Sequence, residues 1–164
     1  VNVAGIALGD AVDTFDIAMW DRTFAVNLTA PLLLSTQLAN QIEKGGSIVN
    51  IASLFGAQYG MNMSLSYGAS KAALINLTKS LSYQLRSKGV RVNAIAPSIV
   101  DTDMTAQDTK EMLDEVSRRS GAGRIAKPEE IAHIVSFLLS EKSSYINGHT
   151  IVADGGYSAW DGIY

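Results

Sequence analysis

Four short strand-like segments alternate with helix-length segments along this chain, and that alternation limits the fold more than any other feature. The segments are Val1-Asn2-Val3-Ala4, Ser47-Ile48-Val49-Asn50-Ile51-Ala52, Val90-Arg91-Val92-Asn93-Ala94-Ile95-Ala96 and Thr150-Ile151-Val152-Ala153. The second reads as buried on both faces, as strands do when helices cover a sheet from either side. Strands and helices in this succession predict a parallel sheet with helices on both faces. The first helical stretch starts near Thr14 in two halves, one to Asn27 and one over 28–42, with Leu28, Leu32, Leu34 and Leu38 as a buried face. Gly45-Gly46 ends it, and Gly56 and Gly60 punctuate a loop. A long helix over about 64–87 stops at Gly89, and Pro97 stops the third strand. A polar loop over 98–108 leads to a charged helix ending near Arg119. Pro128 opens the last helix at its first turn, with Glu129 and Glu130 at its positive end, and that helix runs to about Leu139.

At 164 residues and 47% hydrophobic content, the chain can bury the core of one domain, taken as 1–164. A net charge of -3 gives no electrostatic footprint for nucleic acid or an anionic membrane. The absence of cysteine excludes disulfides and thiolate chemistry and fits a reducing compartment, the cytoplasm. No apolar run reaches the ~18 residues of a membrane span, and no metal-ligand cluster stands out. A strand at the very first residue has no lead-in. A complete nucleotide-binding sheet also needs more than four strands, so the expectation is a fragment whose further strands lie upstream.

A dinucleotide site in such a sheet calls for a glycine-rich turn between a strand and a helix, where the backbone can approach a pyrophosphate. Gly121-Ala122-Gly123-Arg124-Ile125-Ala126 has the bare spacing. It follows a polar helix end, not a strand, and Lys127-Pro128 interrupts the helix it should open, so it reads as an interhelix loop.

Tyr67 and Lys71 lie one helical turn apart on one face. The spacing alone arises by chance, but the chemistry of the pair is specific. Hydride transfer at a carbinol needs a proton to move at its oxygen. A phenol of pKa ~10 needs about 4 kcal/mol of preference for phenolate to work near pH 7. One ammonium at ~4 Å supplies about that at an effective dielectric of 20. Tyr67 thus suits an acid/base role with Lys71 as its tuner. Ser53 follows a buried strand, at the carboxyl end where parallel sheets present functional groups; it either bonds a substrate oxygen or its own backbone. Asn27 interrupts an apolar helical run; its amide either holds a water near Lys71 or stabilises a kink, and the two are compatible.

Taken in order, these motifs resemble the short-chain dehydrogenase/reductase family over nearly the whole chain. Asn2-Val3-Ala4-Gly5 resembles its Asn-Asn-Ala-Gly strand end, and the segment from Trp20 to Asn27 the one carrying its active-site Asn. Ser47 through Gly56 resembles the strand with the catalytic Ser, and Tyr67-Gly68-Ala69-Ser70-Lys71 the Tyr-x-x-x-Lys signature. Val90 through Pro97 with Thr102-Asp103-Met104 resembles the nicotinamide-binding strand and loop. Arg124, Pro128-Glu129-Glu130-Ile131-Ala132 and Asp154-Gly155-Gly156 resemble the C-terminal signature. The resemblance implies a three-layer, Rossmann-like, doubly wound parallel α/β sheet, truncated at its N-terminus. It implies an NAD- or NADP-dependent oxidoreductase acting on a small-molecule alcohol or carbonyl, with Asn27, Ser53, Tyr67 and Lys71 as catalytic residues. Asn2, Ala4, Gly5, Tyr67, Lys71, Pro97, Val100 and Thr102 would bind the cofactor, Val100 by its backbone and Thr102 near the carboxamide and phosphate. No metal is implied. A homodimer or homotetramer would form on the helices beginning near Thr14 and Ser64.

Three departures stand out. Val3 replaces the second Asn, Ser98 replaces a glycine after Pro97, and the Ser53–Tyr67 interval is one residue longer than is commonest. The extra residue falls in the loop 58–66, beside the substrate, where Met61, Met63 and Leu65 either line a pocket or simply pack. The resemblance starts at the family's fourth strand. About three strand–helix units, roughly 80–90 residues at ~30 each, would precede it and carry the pyrophosphate turn. Two other readings stay open: a non-catalytic oligomerisation module, and an epimerase or dehydratase using the same pair.

Overall fold

The computed structural model describes residues 1–58, 64–106 and 108–159. Among the described residues, three parallel strands form the sheet in the order β1 (Ser47–Ile51), β2 (Arg91–Pro97), β3 (Thr150–Ala153). Ser47 pairs with Arg91, and Ala94 with Thr150. The helices are α1 (Ile17–Phe24), α2 (Ala30–Leu38), α3 (Leu54–Ala57), α4 (Leu65–Gln84), α5 (Lys110–Arg119) and α6 (Pro128–Leu139). Successive side chains of a strand point to opposite faces, so with both faces covered β1 and β2 bury apolar residues on each, and their polar Asn50, Arg91 and Asn93 are buried with hydrogen-bond partners. On one face Ile48 and Val92 pack with Leu81 of α4 and with Leu85, which caps its C-terminal end. On the other, Val49 and Ile95 pack with Leu138 and Ile134 from α6. The result is a three-layer, doubly wound α/β sheet. No helix among the described residues is long and apolar enough to cross a membrane.

Four expectations are corrected. The first strand is a single bridge: Asn2 donates its N–H to Val49 at 2.9 Å and accepts from Ile51 at 3.0 Å. Val1 and Val3 are 56% and 65% exposed, so the segment lacks the burial that extends a strand. The leucine face is also misplaced. Leu32, Leu34 and Leu38 are exposed, and α2 turns Pro31 and Ser35 inward instead. The cause is a π-helical turn over Ala25–Thr29, closed by the Ala30 N–H on the Ala25 carbonyl. One extra residue in a turn rotates everything after it by about 100°. The α2 helix ends at Leu38 rather than near 42. Finally, Gly56 belongs to a helix, α3, not a loop. The sequence Gly121-Ala122-Gly123 lies in a turn between α5 and α6, as its context predicts.

Candidate active site

The carboxyl ends of β1 and β2 open onto a cavity of about 310 Å³. Ser53 stands just past β1, where its hydroxyl caps α3 by accepting from the Phe55 N–H at 3.3 Å. That bond is the backbone alternative foreseen for it. The α3 helix lies hard against α4: a Cβ on Gly56 would stand 2.6 Å from the Ala72 nitrogen. Only glycine allows this approach, and it brings Ser53 to the helix bearing Tyr67 and Lys71. Both of those residues line the cavity together with Gly5, Ser53, Pro97, Val100 and Thr102.

Lys71 is 3% exposed. Its ammonium donates to the Ile51 carbonyl at 2.7 Å and lies 5.8 Å from the centre of the Tyr67 ring. Burial lowers its pKa to about 8. Tyr67 moves the other way from the expected tuning: burial raises its pKa, and a side-chain hydrogen bond with Ser53 opposes that. The physical reason is desolvation of the phenolate. The phenol is therefore protonated across neutral pH in this state.

Asn27 sits in the π-helical turn, fully buried. Its amide donates to the Ile6 carbonyl at 2.9 Å and to the Ser70 hydroxyl at 3.0 Å, and its oxygen accepts from the Ile6 N–H at 2.9 Å. Both amide protons are engaged by protein, so the side chain clamps the backbone next to Gly5. A Cβ on Gly5 would come within 3.2 Å of the Lys71 nitrogen and 3.5 Å of the Asn27 oxygen. The clamp thus puts a side-chain-free position against the cation.

Asn2 turns away from the cavity. Its amide donates to the Asn50 oxygen at 2.7 Å, and Asn50 donates to the Thr78 hydroxyl at 2.9 Å, linking the edge segment, β1 and α4. Ala4 is exposed and does not line the cavity. Val100 bridges Ala126, and its carbonyl accepts from the Thr105 hydroxyl at 2.7 Å. Thr102 is exposed, with its N–H on the Thr105 hydroxyl at 3.0 Å. Met61 and Met63 lie outside the described residues. The sequence reading missed Asn50, Ser70, Thr78 and Gly56. Thr78 follows Ser70 by two helical turns on the buried side of α4, a polar line that periodicity counted only for leucines overlooks. Among the described residues, no cluster of His, Asp or Glu could hold a metal ion.

A family model described as enoyl-(acyl carrier protein) reductase matches residues 1–158. An uncharacterized short-chain type dehydrogenase/reductase of Sinorhizobium fredii is 44% identical over 162 residues, covering 96% of this chain and 29% of that protein. The chain belongs to the short-chain dehydrogenase/reductase family. Its fold matches the family's solved structures. 4-Hydroxyisoleucine dehydrogenase complexed with NADH superposes with a TM-score of 0.91 at 31% identity, over 98% of this chain and 68% of that one. A gluconate 5-dehydrogenase from Burkholderia cenocepacia in complex with NADP and tartrate gives 0.88 at 27% identity, over 97% and 64%. The chain spans 29% of the length of the Sinorhizobium relative and 63–64% of other curated relatives of the family.

Proposed function

We propose that this chain forms the catalytic part of an NAD- or NADP-dependent oxidoreductase acting on a secondary alcohol or ketone. The observation that carries the reading is the convergence of Tyr67, Lys71 and Ser53 on one cavity with Gly5, Pro97, Val100 and Thr102. The cavity suits a flat ring: it is walled by Ile51, Pro97, Ile99 and Val100, and Gly5 leaves room beside the buried ammonium. Solved relatives that carry NADH or NADP support the cofactor class. When bound there, the nicotinamide supplies or accepts the hydride. Gly5, Pro97, Val100 and Thr102 would hold it, with Lys71 reaching its ribose.

The remaining steps belong to side chains. Ser53 orients the substrate oxygen. In reduction, the protonated Tyr67 phenol gives its proton to that oxygen as negative charge develops on it. The Lys71 ammonium stabilises the phenolate left behind. Asn27 fixes the Gly5–Ile6 backbone against that cation. The exposed leucines of α2 suit packing against a second copy, giving a homodimer or homotetramer in the cytoplasm. In the intact protein, nicotinamide deuterated at C4 should transfer deuterium stereospecifically to ketones in a panel. Cofactor binding without any deuterium transfer across the panel refutes the reading.

A further inference from the structure

The loop between the first bridge and α1 borders the cavity at Ala7, and it is held at both ends. Asn27 grips Ile6 at one end. At the other, Asp10 is 4% exposed. Its carboxylate accepts from the Ser66 N–H at 3.0 Å, from the Ser66 hydroxyl at 3.0 Å, and from the Ser64 hydroxyl. The Asp10 carbonyl accepts from the Leu65 N–H at 3.2 Å. These are first-turn amides of α4, which have no partner within the helix.

Ser64 is the N-cap of α4, and its oxygen accepts from the Tyr67 N–H at 3.2 Å. A hydroxyl has a single proton. Once that proton goes to Asp10, the lone pairs are left for Tyr67. Burial works to raise the Asp10 pKa, but the hydrogen bonds from Ser64 and Ser66 outweigh it and hold the carboxyl below its ordinary value. The ionised group only accepts, so the direction of the whole chain of bonds is fixed.

We propose that Asp10 is a positioning residue for Tyr67: acting through Ser64, it sets where the first turn of α4 begins, and so where the phenol stands relative to Lys71 and Ser53. This rests on Tyr67 being the acid. The test combines amide hydrogen exchange with steady-state kinetics on the intact protein carrying Asp10→Ala, Asp10→Asn, Ser64→Ala and the Asp10→Ala/Ser64→Ala pair. Asp10→Ala and Ser64→Ala should each speed exchange at the Tyr67 amide at least tenfold. Each should lower kcat at least tenfold, with KM and cofactor Kd within twofold. The pair should be no worse than Asp10→Ala alone, and Asp10→Asn, which keeps an acceptor oxygen, should recover part of kcat. Exchange at Tyr67 within twofold of the parent overturns the proposal, as do losses that multiply in the pair. Should Asp10→Ala not fold, Ser64→Ala decides by the same two readouts. Undiminished turnover in Tyr67→Phe would sink the acid role and, with it, the positioning role, even if exchange shows the clamp.

Discussion

Replacing either of two glycines by alanine, Gly56 in α3 or Gly68 in α4, should move stability in opposite directions. At Gly56 the new methyl would stand 2.6 Å from the Lys71 carbonyl carbon and the Ala72 nitrogen, and 2.8 Å from the Lys71 Cβ. Ordinary contact begins near 3.4 Å, so α3 must retreat from α4 by about 0.8 Å. The two nearest obstacles are backbone, which cannot swing aside. Overpacking of this kind costs ~1–3 kcal/mol, here at the upper end. Alanine returns ~1 kcal/mol of helix propensity. The net loss is about 2 kcal/mol, or ~4–8 °C in Tm for a chain of this size. Because Ser53 caps α3, its hydroxyl moves with the helix, and a displacement near 1 Å can lower turnover ~100-fold. At Gly68 the nearest atom is the Phe55 carbonyl oxygen at 3.6 Å, an ordinary contact. There the gain of ~0.5–1 kcal/mol stands unopposed and Tm should rise by ~1–4 °C. Thermal unfolding followed by circular dichroism measures both. A Gly56→Ala variant as stable as the parent, or two shifts of the same sign, would refute the packing argument.

Burial lowers the Lys71 pKa to about 8 from an ordinary 10.5. Between those values the unfolded chain holds a proton that the folded chain has released, so stability should rise with pH across that window relative to Lys71→Met. The rise should total about 3 kcal/mol and be flat below pH 8. Urea midpoints of the two proteins from pH 7.5 to 10.5 measure it, and a flat or falling difference contradicts the sign. Asn27→Leu leaves the Ile6 N–H and carbonyl without their partner and should destabilise the fold by about 3 kcal/mol, read from urea unfolding; a loss under ~1 kcal/mol means the clamp is not needed.

Three of the four expected strands and the long helix were legible because their signals are local. The two-faced apolar pattern of β1 announced helices on either side, and Pro128 opens α6 as expected, whereas α4 ends at Gln84 and Gly89 closes the 3-10 turn that follows it. The register of α2 was not legible. It depends on one extra residue in the π-helical turn, which no period of 3.6 can anticipate. The site residues stood out by type and spacing, yet their partners did not. Asn27 binds Ile6 and Ser70, and Asn50 joins Asn2 to Thr78, through contacts set by how three elements pack. The direction of the Tyr67 shift was misjudged for the same reason. Coulomb attraction to Lys71 can be worked out from spacing, whereas burial of the phenol exists only in the folded chain.

The central claim is that the Tyr67 phenol delivers the proton that accompanies hydride transfer. Tyr67→Phe removes one oxygen and leaves the helix and ring in place. Single-turnover oxidation of reduced cofactor by a ketone in the intact protein should slow by ~10²–10⁴-fold, with cofactor affinity within twofold of the parent and Tm unchanged. A rate within tenfold of the parent would contradict the account.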